Sequence, residues 1–449
     1  MPGLSLPTAS PTLSPHLWPF SPQWLPTSTY LVGGAVRDAL LERPVDRLDL
    51  DFVLAEKAVE TAAAIAHHYD AGFVLLDAER QIARVVFDHA TADFALQVGS
   101  SLEMDLQRRD FTVNAIAYSP HTQELHDPLR GYRDLEKRLI RMVCLDNLRE
   151  DPLRLLRAYR QAAQLGFSLE PGTQVGIRQL AACLADVAAE RVQSELRYLL
   201  SSAAGTAWLT TAWQDGLFAG WFAQATLQSL ANIAALDWAA VSLEAICPGF
   251  SQVLHSKVRD SAFATKPEGL HQATPACNRD RNWLTTAKLV CLLPPTPDQA
   301  EAELQRLKYS RAELRAVMVV LKYLPRLLSP GAVLTLRDQY YFFQEIGPVF
   351  PTLAVLAVAL GMPLAAIAPL GQRFLTLSDP VAHPVSLVTG QQLMTGLDLP
   401  PGPLIGKLLS ALQLAQAEGT ITTPDAALEL AAQLLQAGTL GARDGKEGR

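Results

Sequence analysis

The sequence predicts an α+β head, a small sheet with helices, followed by an all-α remainder. Three observations point there. Segments of strand character gather before residue 120: Tyr30-Leu31-Val32, Asp49–Leu54, Gly72–Leu76, Ala83–Phe87 and Ala92–Leu96. Beyond Leu200 the chain becomes Ala- and Leu-rich and helical in pattern, with Pro267 and Pro294-Pro295-Thr296-Pro297 marking loops. At 449 residues it is too long for one core, so roughly two to four domains or sub-domains are expected.

Taken in order, the first 29 residues are rich in Ser, Pro and Thr and carry no Lys or Arg. Without a basic start it does not read as a signal peptide, and a disordered lead-in is expected. Leu31 to Leu54 follows, with Gly33-Gly34 placed as in a strand that turns into a helix. Such a turn lets backbone N–H groups approach phosphates, with Arg37 one helical turn on. The stretch ends in Asp49-Leu50-Asp51-Phe52-Val53-Leu54. In a strand, Asp49 and Asp51 project from one face while Leu50 and Phe52 point into a core. Two adjacent carboxylates repel each other unless a cation lies between them. A small set of hard oxygen ligands suits Mg²⁺, which takes its remaining ligands from water and substrate phosphates. Glu56–His68 suits an amphipathic helix, and Asp93 lies in a strand that could sit beside the Asp pair.

Composition excludes several classes. Hydrophobic content of 49% and charged content of 18% describe an ordinary soluble globular chain. A net charge of −7 gives no global attraction to nucleic acid, so an RNA site must be a local basic face. Cys144, Cys183, Cys247, Cys277 and Cys291 show no C-x-x-C spacing, which excludes a zinc ribbon or disulfide framework and fits a reducing compartment. Phe350–Gly371 is apolar, but Gly361-Met362-Pro363 and Pro369 interrupt it, so a buried helical hairpin is expected rather than a membrane span. No protein partner is evident.

Further motifs follow the Asp pair. Arg108-Arg109-Asp110-Phe111-Thr112-Val113-Asn114-Ala115 places charge in an apolar frame. Asp127-Pro128 leads on to Gly131, Asp134 and Leu135, and Glu150-Asp151-Pro152-Leu153-Arg154 opens a helix carrying Arg157 and Arg160. Asp151 is placed as its N-cap, with Pro152 at the first helical position. Glu190-Arg191 and Glu195-Leu196 form a Glu/Arg lattice further along, and Leu304–Pro325 reads as an amphipathic helix pair.

Together these motifs resemble the tRNA nucleotidyltransferase and poly(A) polymerase family, the class II CCA-adding enzymes. The R-R-D-F-T-x-N-A segment matches at every fixed position, and D-P-x-x-G-x-x-D-L, E-D-x-x-R and E-R-x-x-x-E-L are all present. The resemblance is strong from about Tyr30 to Leu200 and looser from Ile367 to Ala437. It implies a nucleotidyltransferase head with a small mixed sheet at 30–145, after the lead-in 1–29. A helical neck that recognises the base would occupy 146–205, a helical body 206–375, and a helical tail that grips tRNA 376–449. Within the tail, Lys407 beside its glycines would contact a backbone phosphate or sit in a helix-capping loop.

The implied activity is template-independent addition of C and/or A to the tRNA 3′ end from CTP and ATP, with Mg²⁺ as cofactor, in the cytoplasm. Asp49 and Asp51 would hold the metal and Asp93 would be a third catalytic carboxylate. Gly33, Gly34, Arg37 and Arg109 would hold phosphates, with Asp110 and Asn114 as polar supports or sugar contacts. Asp151 and Arg154 would select the base, and Arg157 and Arg160 would make further nucleotide contacts. One chemical argument supports the base reader directly. Cytosine and adenine both present an amino donor beside a ring-nitrogen acceptor, so an Asp acceptor next to an Arg donor complements C and A and opposes G and U. Three alternatives remain: a poly(A) polymerase, an enzyme restricted to CC or A addition, and a catalytically dead RNA-binding protein.

Overall fold

A computed structural model describes residues 10–45, 47–202, 204–258, 281–329 and 334–437. The chain divides into two compact units, Met1–Ala223 and Gln224–Arg449. The first nine residues of the lead-in, the loop at Pro267 and the charged end at 441–449 lie outside the described residues.

In the first unit, strands β1 (Tyr30–Val32), β2 (Leu48–Leu54), β3 (Gly72–Asp77), β4 (Ile82–Val86), β5 (Ala90–Leu96), β6 (Ala117–Tyr118) and β7 (Leu125–His126) form one sheet in the order β3-β4-β5-β2-β1-β6-β7. The sheet is mixed: β2 and β5 run parallel, and every other pairing is antiparallel. Alternation along β2 buries Leu50 and Phe52 while Asp49 stays exposed. Helices α1 (Gly34–Leu40), α2 (Ala58–His68), α3 (Leu102–Gln107) and α4 (Gly131–Glu136) accompany the strands. Strands β8 (Leu139–Ile140) and β9 (Ser168–Leu169) form a small parallel pair. Helices α5 (Leu145–Glu150), α6 (Leu153–Leu165), α7 (Pro171–Leu180), α8 (Ala189–Ser201) and α9 (Gly205–Gln214) complete the unit. As expected, α6 stops at Gly166, which takes the left-handed conformation at φ 67°.

The expected disorder of the lead-in fails for residues 10–29. Three short 3₁₀ turns, each opened by Pro, carry Leu13, Trp18, Phe20 and Leu25 into buried positions. Trp18 and Phe20 lie against Phe52, and Phe20 also meets Phe87 and Phe94. Composition suggested a solvated coil, but four large apolar side chains held by Pro-fixed turns bury enough surface to order it.

The second unit is wholly helical among its described residues: α10 (Leu227–Ile246), α11 (Phe250–Leu254), α12 (Trp283–Leu292), α13 (Pro297–Arg306), α14 (Arg311–Leu327), α15 (Leu336–Ile346), α16 (Phe350–Ala359) and α17 (Leu364–Leu375), then α18 (Gly390–Leu397), α19 (Pro403–Ala417) and α20 (Pro424–Gln436). Helix α16 is buried from Phe350 to Val358, and Gly361 (φ +100°) with Pro363 turns the chain into α17, which gives the expected hairpin. Pro369 breaks nothing. It sits inside α17, where it removes a single backbone donor from a helix that continues to Leu375. Lys407 and Gly406 lie within α19 and not in a capping loop. A separate apolar cluster of Leu393, Leu408, Leu412, Ala427 and Ala431 joins α18, α19 and α20.

Candidate active site

Three adjacent strands carry the charged face. In the β2–β5 register Asp49 pairs with Thr91 and Asp51 with Asp93, and in the β4–β5 register Arg84 pairs with Asp93. Partners in register share a face, so Asp51, Asp93 and Arg84 form a row across the sheet. Thr91 Oγ1 donates to Asp49. Arg84 grips both oxygens of Asp93, Nε to Oδ1 at 2.6 Å and Nη2 to Oδ2 at 2.7 Å. Burial, then the neighbouring charges of Asp49 and Asp93, push the Asp51 carboxyl up to about 7. Asp93 is therefore placed beside Asp51, as the sequence suggested, but with its oxygens committed to Arg84.

Gly33 lies where β1 gives way to α1, at φ +75°. A Cβ there would stand 3.4 Å from Arg109 Nη1 and 3.6 Å from Asp51 Oδ2, so Gly33 occupies the narrow gap between guanidinium and carboxylate. Arg109 is anchored by Nη2 to Asp105 Oδ2 at 3.0 Å, and its buried Nε has no partner among the described residues. Asp105, fully buried, also takes the Arg108 guanidinium at 2.8 Å and the Val98 N–H at 3.1 Å. Arg108 and Arg109 hold its carboxyl low against the opposing effect of burial.

Behind this row is a buried polar network. Asp110 accepts from the Phe111 N–H, from Asn114 Nδ2 (2.8 Å), from Arg157 (3.0 Å) and from Gln161 Nε2. Burial alone would raise its carboxyl, but the Arg157 charge and these hydrogen bonds hold it below the usual range. Asn114 Oδ1 accepts from Arg37 Nη1 at 2.7 Å, and Arg37 also pairs with Asp38 at 2.9 Å. Arg37 and Asn114 are thus tied to each other and to neighbouring carboxylates, with Asn114 bridging Arg37 and Asp110 as a polar support.

Arg108, Arg109, Asp110, Asp151, Arg154, Arg157 and Arg191 surround a cavity of about 250 Å³. Arg154 Nη1 donates to the carbonyls of Arg108 (2.9 Å) and Asn147 (3.0 Å), which fixes the guanidinium at the cavity wall. Asp151 does not cap α6 with its side chain. Pro152 already has helical geometry, and the Arg154 N–H bonds the Asp151 backbone carbonyl. The carboxylate instead accepts from Arg191 Nη2 at 2.9 Å, with Arg154 Nε at 4.0 Å. The carboxylate is therefore not spent on the start of α6. Arg157 reaches the cavity while bound to Asp110 and Glu195, whereas Arg160 does not line it: it pairs with Glu195 and Gln164 and lies over the Tyr198 ring.

Comparison with known proteins identifies the family. A CC-adding tRNA nucleotidyltransferase of Synechocystis sp. is 45% identical over 419 residues, which is 93% of this chain and 96% of that protein. The chain belongs to the tRNA nucleotidyltransferase family. An A-adding tRNA nucleotidyltransferase of Deinococcus radiodurans is 34% identical over 92% of this chain and 96% of its own length. The family model for the poly A polymerase head domain matches residues 29–96 and 83–141, that for the RNA- and SrmB-binding site of polymerase A residues 166–227, and that for tRNA nucleotidyltransferase domain 2 residues 279–432. The fold is that of a solved CCA-adding enzyme in its apo form, with a TM-score of 0.69 at 19% identity, covering 94% of this chain and 92% of that one.

Within this tRNA nucleotidyltransferase, motif reading gave no role to Asp105 or Arg84, and it took Arg108 and Arg191 only as members of their motifs. Asp105 could have been found from its i,i+3 and i,i+4 spacing to Arg108 and Arg109 on one helix turn. Arg84 carries no local signal, and the motif around Arg191 does not disclose Asp151 as its partner, because each arginine meets its Asp through a fold-level pairing.

Proposed function

We propose that this tRNA nucleotidyltransferase adds C to the 3′ end of tRNA from CTP, with no nucleic-acid template, and releases pyrophosphate. The observation that carries the reading is the cavity lined by Asp151, Arg154 and Arg109, with Arg109 facing Asp51 across Gly33. The terminal 3′-hydroxyl oxygen forms the new bond to the α-phosphorus, and the bond to the bridging oxygen of the leaving pyrophosphate breaks in line with it. Arg109, with its unpartnered buried Nε, is suited to hold triphosphate oxygens, and Gly33 with Gly34 leaves room for them. Asp110 holds Arg157 at that cavity, and Asn114 links Asp110 to Arg37 behind it.

A divalent ion fits the residues present. The mutual repulsion of Asp49 and Asp51 is relieved by a cation, and two carboxylates with substrate phosphates suit Mg²⁺. Bound there, the ion would supply Lewis-acid activation of the 3′-hydroxyl and charge neutralisation at the triphosphate. Asp93 then acts as a positioning residue that adds negative charge beside Asp51. The bacterial tRNA-processing relatives support a cytoplasmic setting.

Restriction to CC addition is supported by the Synechocystis relative, and addition of A by the Deinococcus relative together with the shared donor–acceptor pattern of C and A. Competition among the four nucleotides on one tRNA tests the base reader. Arg154→Ala is expected to reduce the advantage of CTP over UTP by about ten- to hundred-fold, roughly 1–3 kcal/mol, beyond any general fall in rate. Asp151→Asn, whose amide can donate, is expected to favour UTP relative to CTP. Equal slowing with all four nucleotides would move base reading elsewhere.

A further inference from the structure

We propose that helix α10 forms a homodimer seam, packed against α10 of a second copy running antiparallel across a two-fold axis. One face of this twenty-residue helix is committed to its own unit: Leu230, Ile233, Leu236, Ala239 and Leu243 are buried, and α10 packs on α12 and α16. On the other side Leu227, Ala231, Ala234, Trp238, Val241 and Ala245 are all exposed, the three large ones by 57%, 60% and 71%. Their steps of four, three, four, three and four residues are those of the inner positions of a coiled coil.

The order of sizes identifies the partner. A two-fold axis at the level of residue 236 sets Leu227 opposite Ala245 of the second copy, Ala231 opposite Val241, and Ala234 opposite Trp238. Every layer then joins one large residue to one small one, the arrangement that fills space between facing helices. Antiparallel pairing also places each helix N-terminus beside a C-terminus, so the dipoles complement each other. None of the six residues is charged, and the charged residues of α10, Asp237 and Glu244, are engaged with Lys288 and with the Gly249 and Ser251 N–H groups. The helix has no basic residue to face RNA phosphate. Although apolar enough to span a membrane, it has its other face in the core. A seam about 30 Å long is smaller than a standard interface, so reversible association near micromolar concentration is expected.

Sedimentation velocity of the full chain over a hundredfold concentration range tests this. Trp238→Ala leaves a gap and Ala234→Trp sets two indoles against each other, so each is expected to weaken the dimer by about tenfold or more. The double variant Ala234→Trp/Trp238→Ala restores one large and one small residue per layer and should recover the parental association. Val241→Glu should abolish it without altering far-UV circular dichroism, since the side chain is exposed in the protomer. A chain that stays monomeric throughout, a dimer indifferent to the single variants, or a double variant as weak as the singles would each overturn the proposal.

Discussion

Asp51 sits beside two like charges, and this makes its protonation a handle on the site. Its carboxyl is raised from 3.8 to about 7, so between those values the folded chain holds a proton that the unfolded chain has released. Folded-state protons in excess mean that stability without metal falls as pH rises through that window and levels off above it. Divalent ion competes with the same proton, so Mg²⁺ should stabilise the chain more at about pH 8 than at about pH 5. Asp51→Asn is expected to raise the metal-free Tm at about pH 8, to abolish the Mg²⁺ response and to end nucleotide incorporation while retaining tRNA binding. Thermal melts with and without Mg²⁺ check this. A variant that melts below the parent at that pH would remove the repulsion argument.

At the level of elements, two segments are more structural than their sequences suggest. The Pro-opened turns of residues 10–25 looked like solvated coil, because the Leu, Trp and Phe that anchor them follow neither helical nor strand periodicity. Phe20, 2% exposed among Phe52, Phe87 and Phe94, shows how much they contribute. Phe20→Ala is expected to cost about 3–5 kcal/mol in urea unfolding, whereas a disordered lead-in would register nothing. The Asp127-Pro128 connector likewise braces the site. Asp127 accepts from the Gly131 and Tyr132 N–H groups at 2.7 and 2.9 Å, while Asp134 accepts from Thr112 Oγ1 at 2.7 Å. A Cβ on Gly131 would lie 2.1 Å from the Thr112 carbonyl oxygen. Gly131→Ala should therefore destabilise by about 1–3 kcal/mol and displace the Arg109–Asn114 turn, lowering incorporation beyond the loss of folded protein. Wild-type activity per folded molecule would show that the turn does not depend on this contact.

Across the whole molecule, what could be read in the sequence followed from how local the causes are. The Asp49–Asp51 face, the Gly166 stop and the break between α16 and α17 are written within a few residues, and all appear in the structure. The grip of Arg84 on Asp93, of Arg191 on Asp151 and of Arg37 on Asn114 joins residues 9, 40 and 77 positions apart, so only the fold reveals which partner each arginine takes. The helical second unit gave few motifs because its Ala and Leu encode packing and not chemistry. The central claim is that the Asp pair and the Asp151–Arg154 reader act together to extend tRNA with selected bases. The most direct measurement supplies CTP and ATP together to a tRNA that ends before its CCA, and sequences the product. The account predicts a tail of two C residues that depends on Asp51. No incorporation, or a long A tail added to RNA of any kind, would contradict it.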